Sequence, residues 1–308
     1  MSTLVATSVP SRWHTLMRLL ARHPVRSYLL IAFGVSYVLF LPSLLSVSGF
    51  GLLPFDLPLK PFVLLSSLLA LALPAALISR AVEGRGAAKR LFAQCVRWRV
   101  GLRWYVMALI GMPLACLLSA IVWRGPAALS LLASTWPQFF TALLPKALII
   151  AALVSIWEET GWTGFMLPRL QRRMGPLPAS LLVNLSQATL HVPLLFVVDG
   201  LSDGRLLVNQ YPEYLLYLFI FTIPMRIIMT WLYNGTGGSM LIVALFHGMW
   251  NTTASSDFVS LVAPGSDATW VFAVLAACAL LVLLLTRGRL GYTAEPEPQL
   301  AHATPARI

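Results

Sequence analysis

Glu158 and Glu159 stand side by side in the middle of an apolar run, an expensive place for two carboxylates. Of the eleven Asp and Glu residues, only these two fall inside such a run. Of the five histidines, His14, His23 and His302 lie in the tails, and only His191 and His247 lie in apolar runs. Asn251 follows His247 by four residues, which stacks the two side chains on one helix face. A carboxylate and an imidazole can together activate a water. An imidazole and an amide one turn apart are two adjacent donors, suited to a developing oxyanion or, alternatively, to a metal. Taken singly, each group has a plainer reading: His247 and Asn251 as an interhelical hydrogen bond, His191 as a packing histidine. Three helices each bringing an acid or a histidine to similar depth are harder to explain as packing.

Adjacent helical positions point about 100° apart, so the two carboxylates cannot face one point squarely. One should meet the reacting groups, while the other binds a backbone or supporting partner. If the run is bounded by Pro145 and Pro168, Glu158 lies about 20 Å from one end and about 15 Å from the other. Glutamate is too short to snorkel that far. Gln187, four residues before His191, is placed to hydrogen-bond its imidazole and fix the tautomer.

The elements that must position these groups are membrane spans. The 308 residues are 58% hydrophobic and 11% charged, where a soluble domain carries roughly 25% charged residues. Eight apolar runs of span length fall at about 27–48, 61–79, 104–123, 145–167, 177–198, 214–233, 238–256 and 268–286. The expected fold is therefore an all-α, polytopic membrane helix bundle of about eight transmembrane helices. Residues 1–26 read as a basic tail, either an interfacial helix through Trp13, Leu16, Met17 and Leu20 or a disordered segment; residues 27–289 are expected to form a single bundle, with residues 290–308 a disordered end.

The net charge of +11 is distributed as a topology signal. Of 22 Lys and Arg, 17 lie in the N-terminal tail, the 80–103 loop, the Arg169–Arg173 loop and the C-terminal tail, whereas the alternate loops hold 3 (Lys60, Arg124, Arg205). The positive-inside rule then puts both termini in the cytoplasm, in a multi-pass protein of the plasma membrane. Basic residues so arranged argue against nucleic-acid binding and for contact with the bilayer. Cys95, Cys116 and Cys278 are too scattered for a metal knuckle.

The motifs resemble those of the CPBP family, which contains the CAAX prenyl endopeptidases and the bacterial Abi-type, bacteriocin-immunity-linked proteins. The resemblance rests on Glu158-Glu159-Thr160-Gly161-Trp162-Thr163-Gly164-Phe165, His191-Val192-Pro193, Trp231-Leu232-Tyr233-Asn234 and His247-xxx-Asn251, in that order over roughly 158–253. It implies a glutamate-dependent intramembrane endopeptidase of a class formerly called metalloproteases. Glu158 would be the general base acting with His191, Glu159 its support, and His247 with Asn251 the oxyanion hole. The substrate would be a membrane-associated peptide or protein entering a cleft open toward the cytoplasm. No cofactor is required on this reading; the alternative places zinc on Glu158, His191 and His247. Two positions depart from the family pattern: Thr163 stands where an arginine is usual, and Gln187 where an aromatic is usual. The charge of one glutamate must then be met differently, with Arg169 and Arg226 the candidates. A non-catalytic scaffold or immunity-type protein and a proton-coupled transporter are the competing classes; the second is disfavoured because no inverted repeat is visible.

Overall fold

In a computed structural model the structure describes residues 20–197, 211–253 and 269–293. Among the described residues every regular element is a helix, with no strand. We number the helices α1 (Pro24–Leu45), α2 (Leu59–Glu83), α3 (Ala87–Ala93), α4 (Leu102–Arg124), α5 (Trp136–Met174), α6 (Pro176–Phe196), α7 (Tyr214–Gly235), α8 (Met240–Thr253) and α9 (Thr269–Leu285). Six of them, α1, α2 and α4 to α7, are long and apolar enough to cross a membrane; α8 and α9 span 14 and 17 residues. All eight apolar runs are helices, and the protein is an all-α, multi-pass membrane bundle. Trp13, Leu16 and Met17 of the expected interfacial helix lie outside the described residues, as does the tail beyond Thr293.

The prolines expected to bound the fourth run do not end it. α5 passes through both Pro145 and Pro168 and is 39 residues long. A proline costs a helix one backbone hydrogen bond and clashes with the carbonyl one turn back. Here wide π-type turns, Phe139–Leu143 and Thr160–Met166, precede each proline and relieve that clash. A third, Ala151–Ser155, leaves Ile156–Glu159 as a short α-helical stretch between wide turns. The glutamates therefore sit where the helix is least regular, a common place for function.

Hydrophobicity alone does not hold such a bundle together, because lipid is as apolar as leucine; close packing at small residues does. α5 is central, against α2, α6 and α8, while α8 also packs on α4 and α7. A Cβ on Gly248 would fall 2.5 Å from the Ala147 carbonyl oxygen, and one on Gly164 would fall 2.2 Å from Met240 Sδ. These two glycines let α8 lie directly on α5, which brings His247 to the glutamates. Gly175, at φ 81°, turns the chain from α5 into α6, whose first residue Pro176 is preset for a helix start.

The helix ends that carry the basic residues are tied together. Arg169 reaches Glu83, Gln171 and Asn234 exchange hydrogen bonds of 3.2 and 2.8 Å, and Asn234 donates to the Leu290 carbonyl at 3.1 Å. Tyr233 donates to Gln94 at 2.9 Å and Ser239 to the Arg97 carbonyl at 2.7 Å. Between the end of α2 at Glu83 and the start of α4 at Leu102, only Ala87–Ala93 and a short turn at Gln94–Val96 are helical; the stretch that follows is pinned by Arg97 to the Gly237 carbonyl and by Tyr105 to the Trp98 carbonyl.

Candidate active site

Glu159 is fully buried and its carboxylate accepts four hydrogen bonds. Arg226 grips it with both terminal nitrogens, Nη1 to Oε2 at 2.9 Å and Nη2 to Oε1 at 3.2 Å. His247 Nδ1 lies 2.9 Å from Oε1, and the Thr163 hydroxyl donates to Oε2. A carboxylate has about four acceptor positions, so Glu159 has none left. Because a carboxylate only accepts, His247 Nδ1 carries the proton, leaving Nε2 as the group that faces away.

Arg226 also explains both departures from the family pattern. Its Nη1 donates to Thr163 Oγ1 at 3.0 Å, and its Nη2 donates to the side-chain oxygen of Gln187. The guanidinium is 1% exposed and would be costly to bury alone. An arginine at position 163 would need the space that Arg226 fills, and an aromatic at 187 could not receive its proton. Of the two candidates, Arg226 is the one that pairs with one of the two adjacent glutamates, Glu159. Arg169 instead serves the basic end, where it reaches Glu83 and stacks 3.9 Å from the Phe165 ring centre.

Glu158 has different surroundings. It is 6% exposed, and the contact its carboxylate makes is with Ser67 Oγ on α2, at 3.4 Å. Residue types alone did not point to Ser67; the signal available was the pair Ser66-Ser67 inside an apolar run. Tyr28 on α1 was also not anticipated. Its hydroxyl is buried without a hydrogen-bond partner, and its ring packs edge-on to Trp162 with centres 5.7 Å apart.

His191, His247 and Asn251 are brought together on one cavity of about 80 Å³, several times what a single water needs. Tyr217, Thr222 and Met225 complete much of its wall. Neither glutamate lines it: Glu159 stands behind His247, and Glu158 is turned toward α2. His191 is fixed as expected in position but by a different atom. Its Nδ1 lies 2.8 Å from the backbone carbonyl of Gln187, whose side chain is committed to Arg226. Among the described residues no group of three His, Cys, Asp or Glu side chains is gathered so as to hold a metal ion.

A polytopic helical bundle with a cavity lined by imidazole and amide groups, and two buried carboxylates on an adjoining helix, is the class that fold and site define. Residues 140–253 match the family described as type II CAAX prenyl endopeptidase Rce1-like. The chain is similar to CAAX prenyl protease 2 of Methanococcus maripaludis, 32% identical over 114 residues, which are 37% of this chain and 41% of that protein. The matched stretch holds all five site residues together with Thr163, Gln187 and Arg226, and leaves out Tyr28 and Ser67.

Proposed function

We propose that the protein is an intramembrane endopeptidase that hydrolyses a peptide bond of a membrane-associated substrate with a glutamate-activated water. The supporting observation is the unequal state of the two glutamates. Glu159, with every acceptor position taken, is poorly placed to receive a proton, while Glu158 retains open lone pairs.

In this mechanism Glu158 turns from Ser67 toward the cavity when substrate binds and takes a proton from the water as it attacks the carbonyl carbon. His191, with Nδ1–H on the Gln187 carbonyl, presents Nε2 as the second acceptor that aligns that water. The tetrahedral oxygen is met by the Asn251 amide and by His247. His247, held at Nδ1 by the Glu159 carboxylate, would donate from Nε2 as an imidazolium. The proton held by Glu158 then passes to the leaving nitrogen. Catalytic hydrogen bonds that are loose without substrate and tighten with it are usual.

The test is proteolysis of a panel of membrane-tethered peptides by purified protein in lipid. Wild-type protein should cleave at least one of them, and Glu158→Gln should not. Full activity of Glu158→Gln would exclude the assigned base, and cleavage by no wild-type preparation would exclude the peptidase reading.

A further inference from the structure

Pro193 stands four residues after Thr189, near the end of α6. It has no N–H to give the Thr189 carbonyl, and its ring crowds that carbonyl. From Val192 to Phe196 the helix tightens to i→i+3 turns. The Thr189 carbonyl takes the Val192 N–H and, from another helix, the Tyr37 hydroxyl at 2.9 Å. A carbonyl freed by a proline inside a span is costly unless a neighbour supplies a donor. Here α1 supplies it. Two residues beyond Thr189, the His191 ring is held one turn back by the Gln187 carbonyl, at 2.8 Å. The turn that Tyr37 fastens is therefore the turn that aims His191.

The residue before Tyr37 fastens α1 to a second element. Ser36 Oγ lies 2.7 Å from Ser66 Oγ on α2, and the next residue, Ser67, is the one that meets Glu158. Adjacent helical positions point about 100° apart, so α1 reaches α2 with one hydroxyl and α6 with the next. It thereby braces the element beside Glu158 against the element that carries His191. Tyr37 is half-buried, and its ring packs against a cluster that includes Phe40, Leu59 and Leu194. We infer that Tyr37 is a positioning residue for the reaction: its hydroxyl holds the last turns of α6 so that the His191 imidazole meets the cavity in one orientation. Tyr37 lies outside the stretch that matches the endopeptidase family and does not line the cavity, so it acts through His191. This inference rests on the peptidase reading for its effect on turnover, but not for its hold on the ring.

The experiment compares full-length wild-type protein with Tyr37→Phe, which keeps the ring and deletes the donor. Histidine-selective nitrogen-15 labelling gives the imidazole signals, and His191→Gln and His247→Gln identify those two rings. Tyr37→Phe should shift the His191 ring nitrogens, or split them between two environments, and leave those of His247 in place. In the peptidase assay it should lower kcat about tenfold, the factor that one hydrogen bond can hold, with KM unchanged. The unfolding temperature should fall only slightly. An unmoved His191 signal overturns the inference, as does equal movement of both rings, the mark of general loosening. Full kcat in Tyr37→Phe overturns it too. Should Tyr37→Phe not fold, Tyr37→Met, which also lacks the hydroxyl, is read by the same signals. The ring signals need no turnover, so a selective shift at His191 in a protein that cleaves no peptide would reject the peptidase reading alone.

Discussion

Glu158 and Glu159 occupy successive positions on α5, at the same depth and with almost the same burial, yet their neighbours treat them oppositely. Around Glu159 the bundle assembles a guanidinium, an imidazole and a hydroxyl from three helices, filling the carboxylate's hydrogen-bonding capacity. Around Glu158 it offers one hydroxyl at 3.4 Å. Burial alone does not give a carboxylate its role. A saturated carboxylate anchors what touches it, and an unsaturated one keeps the freedom to exchange a proton. The 100° between neighbours on a helix is what lets one dipeptide hold both.

Neutralising Glu158 should have the largest effect. General-base catalysis contributes about 100- to 10,000-fold, so Glu158→Gln should lower kcat by that range with an unchanged unfolding temperature in detergent. Glu159→Gln should instead lower both, because it strips the guanidinium of its counter-charge. If the two variants behaved alike in unfolding, the contrast between the sites would be lost.

Removing the cation comes next. Arg226→Met leaves Glu159 charged in a dry interior, where breaking a buried pair costs about 3–5 kcal/mol. Thermal unfolding should show that loss, and the double variant Arg226→Met with Glu159→Gln should recover part of it, since the orphaned charge is gone. No recovery would mean that Arg226 stabilises by packing and not by pairing. A smaller change, Thr163→Val, deletes one hydrogen bond to a charged group at nearly constant volume and should cost about 1.5–3 kcal/mol.

How far this contrast was legible in the sequence can be traced residue by residue. Apolar run length exposed eight of the nine numbered helices among the described residues, because lipid leaves the backbone few alternatives. It misplaced the ends of α5, since a proline reads as a breaker unless the wide turn before it is foreseen. The pairing of Glu159 with a distant arginine was foreseeable only as a choice of two. Depth favours Arg226, nine residues inside α7, over Arg169, five residues from the end of α5. Gln187 was assigned to His191 because both lie one turn apart on α6. The same spacing also puts the Gln187 carbonyl within reach of the imidazole, freeing the side chain for Arg226. That neither glutamate lines the cavity was not legible, because it depends on how the neighbouring helices turn each carboxylate, and residue spacing carries no such information.

The smallest predicted effect bears most directly on Glu158. The single hydroxyl hydrogen of Ser67 is also within reach of the Val63 carbonyl, 2.9 Å away, so two acceptors compete for it and its hold on Glu158 is weak. A hydrogen bond to a charged group contributes about 1.5–3 kcal/mol, and this long, shared one belongs below that range. If Ser67 only parks the carboxylate between turnovers, Ser67→Ala should leave kcat unchanged or raise it slightly, because Glu158 then turns toward the cavity more readily. If Ser67 aligns the carboxylate during catalysis, the same exchange should lower kcat, and Ser67→Thr should restore it. Peptidase rates of the two variants at saturating substrate separate the cases, with the outcome for Glu158→Gln fixing the scale.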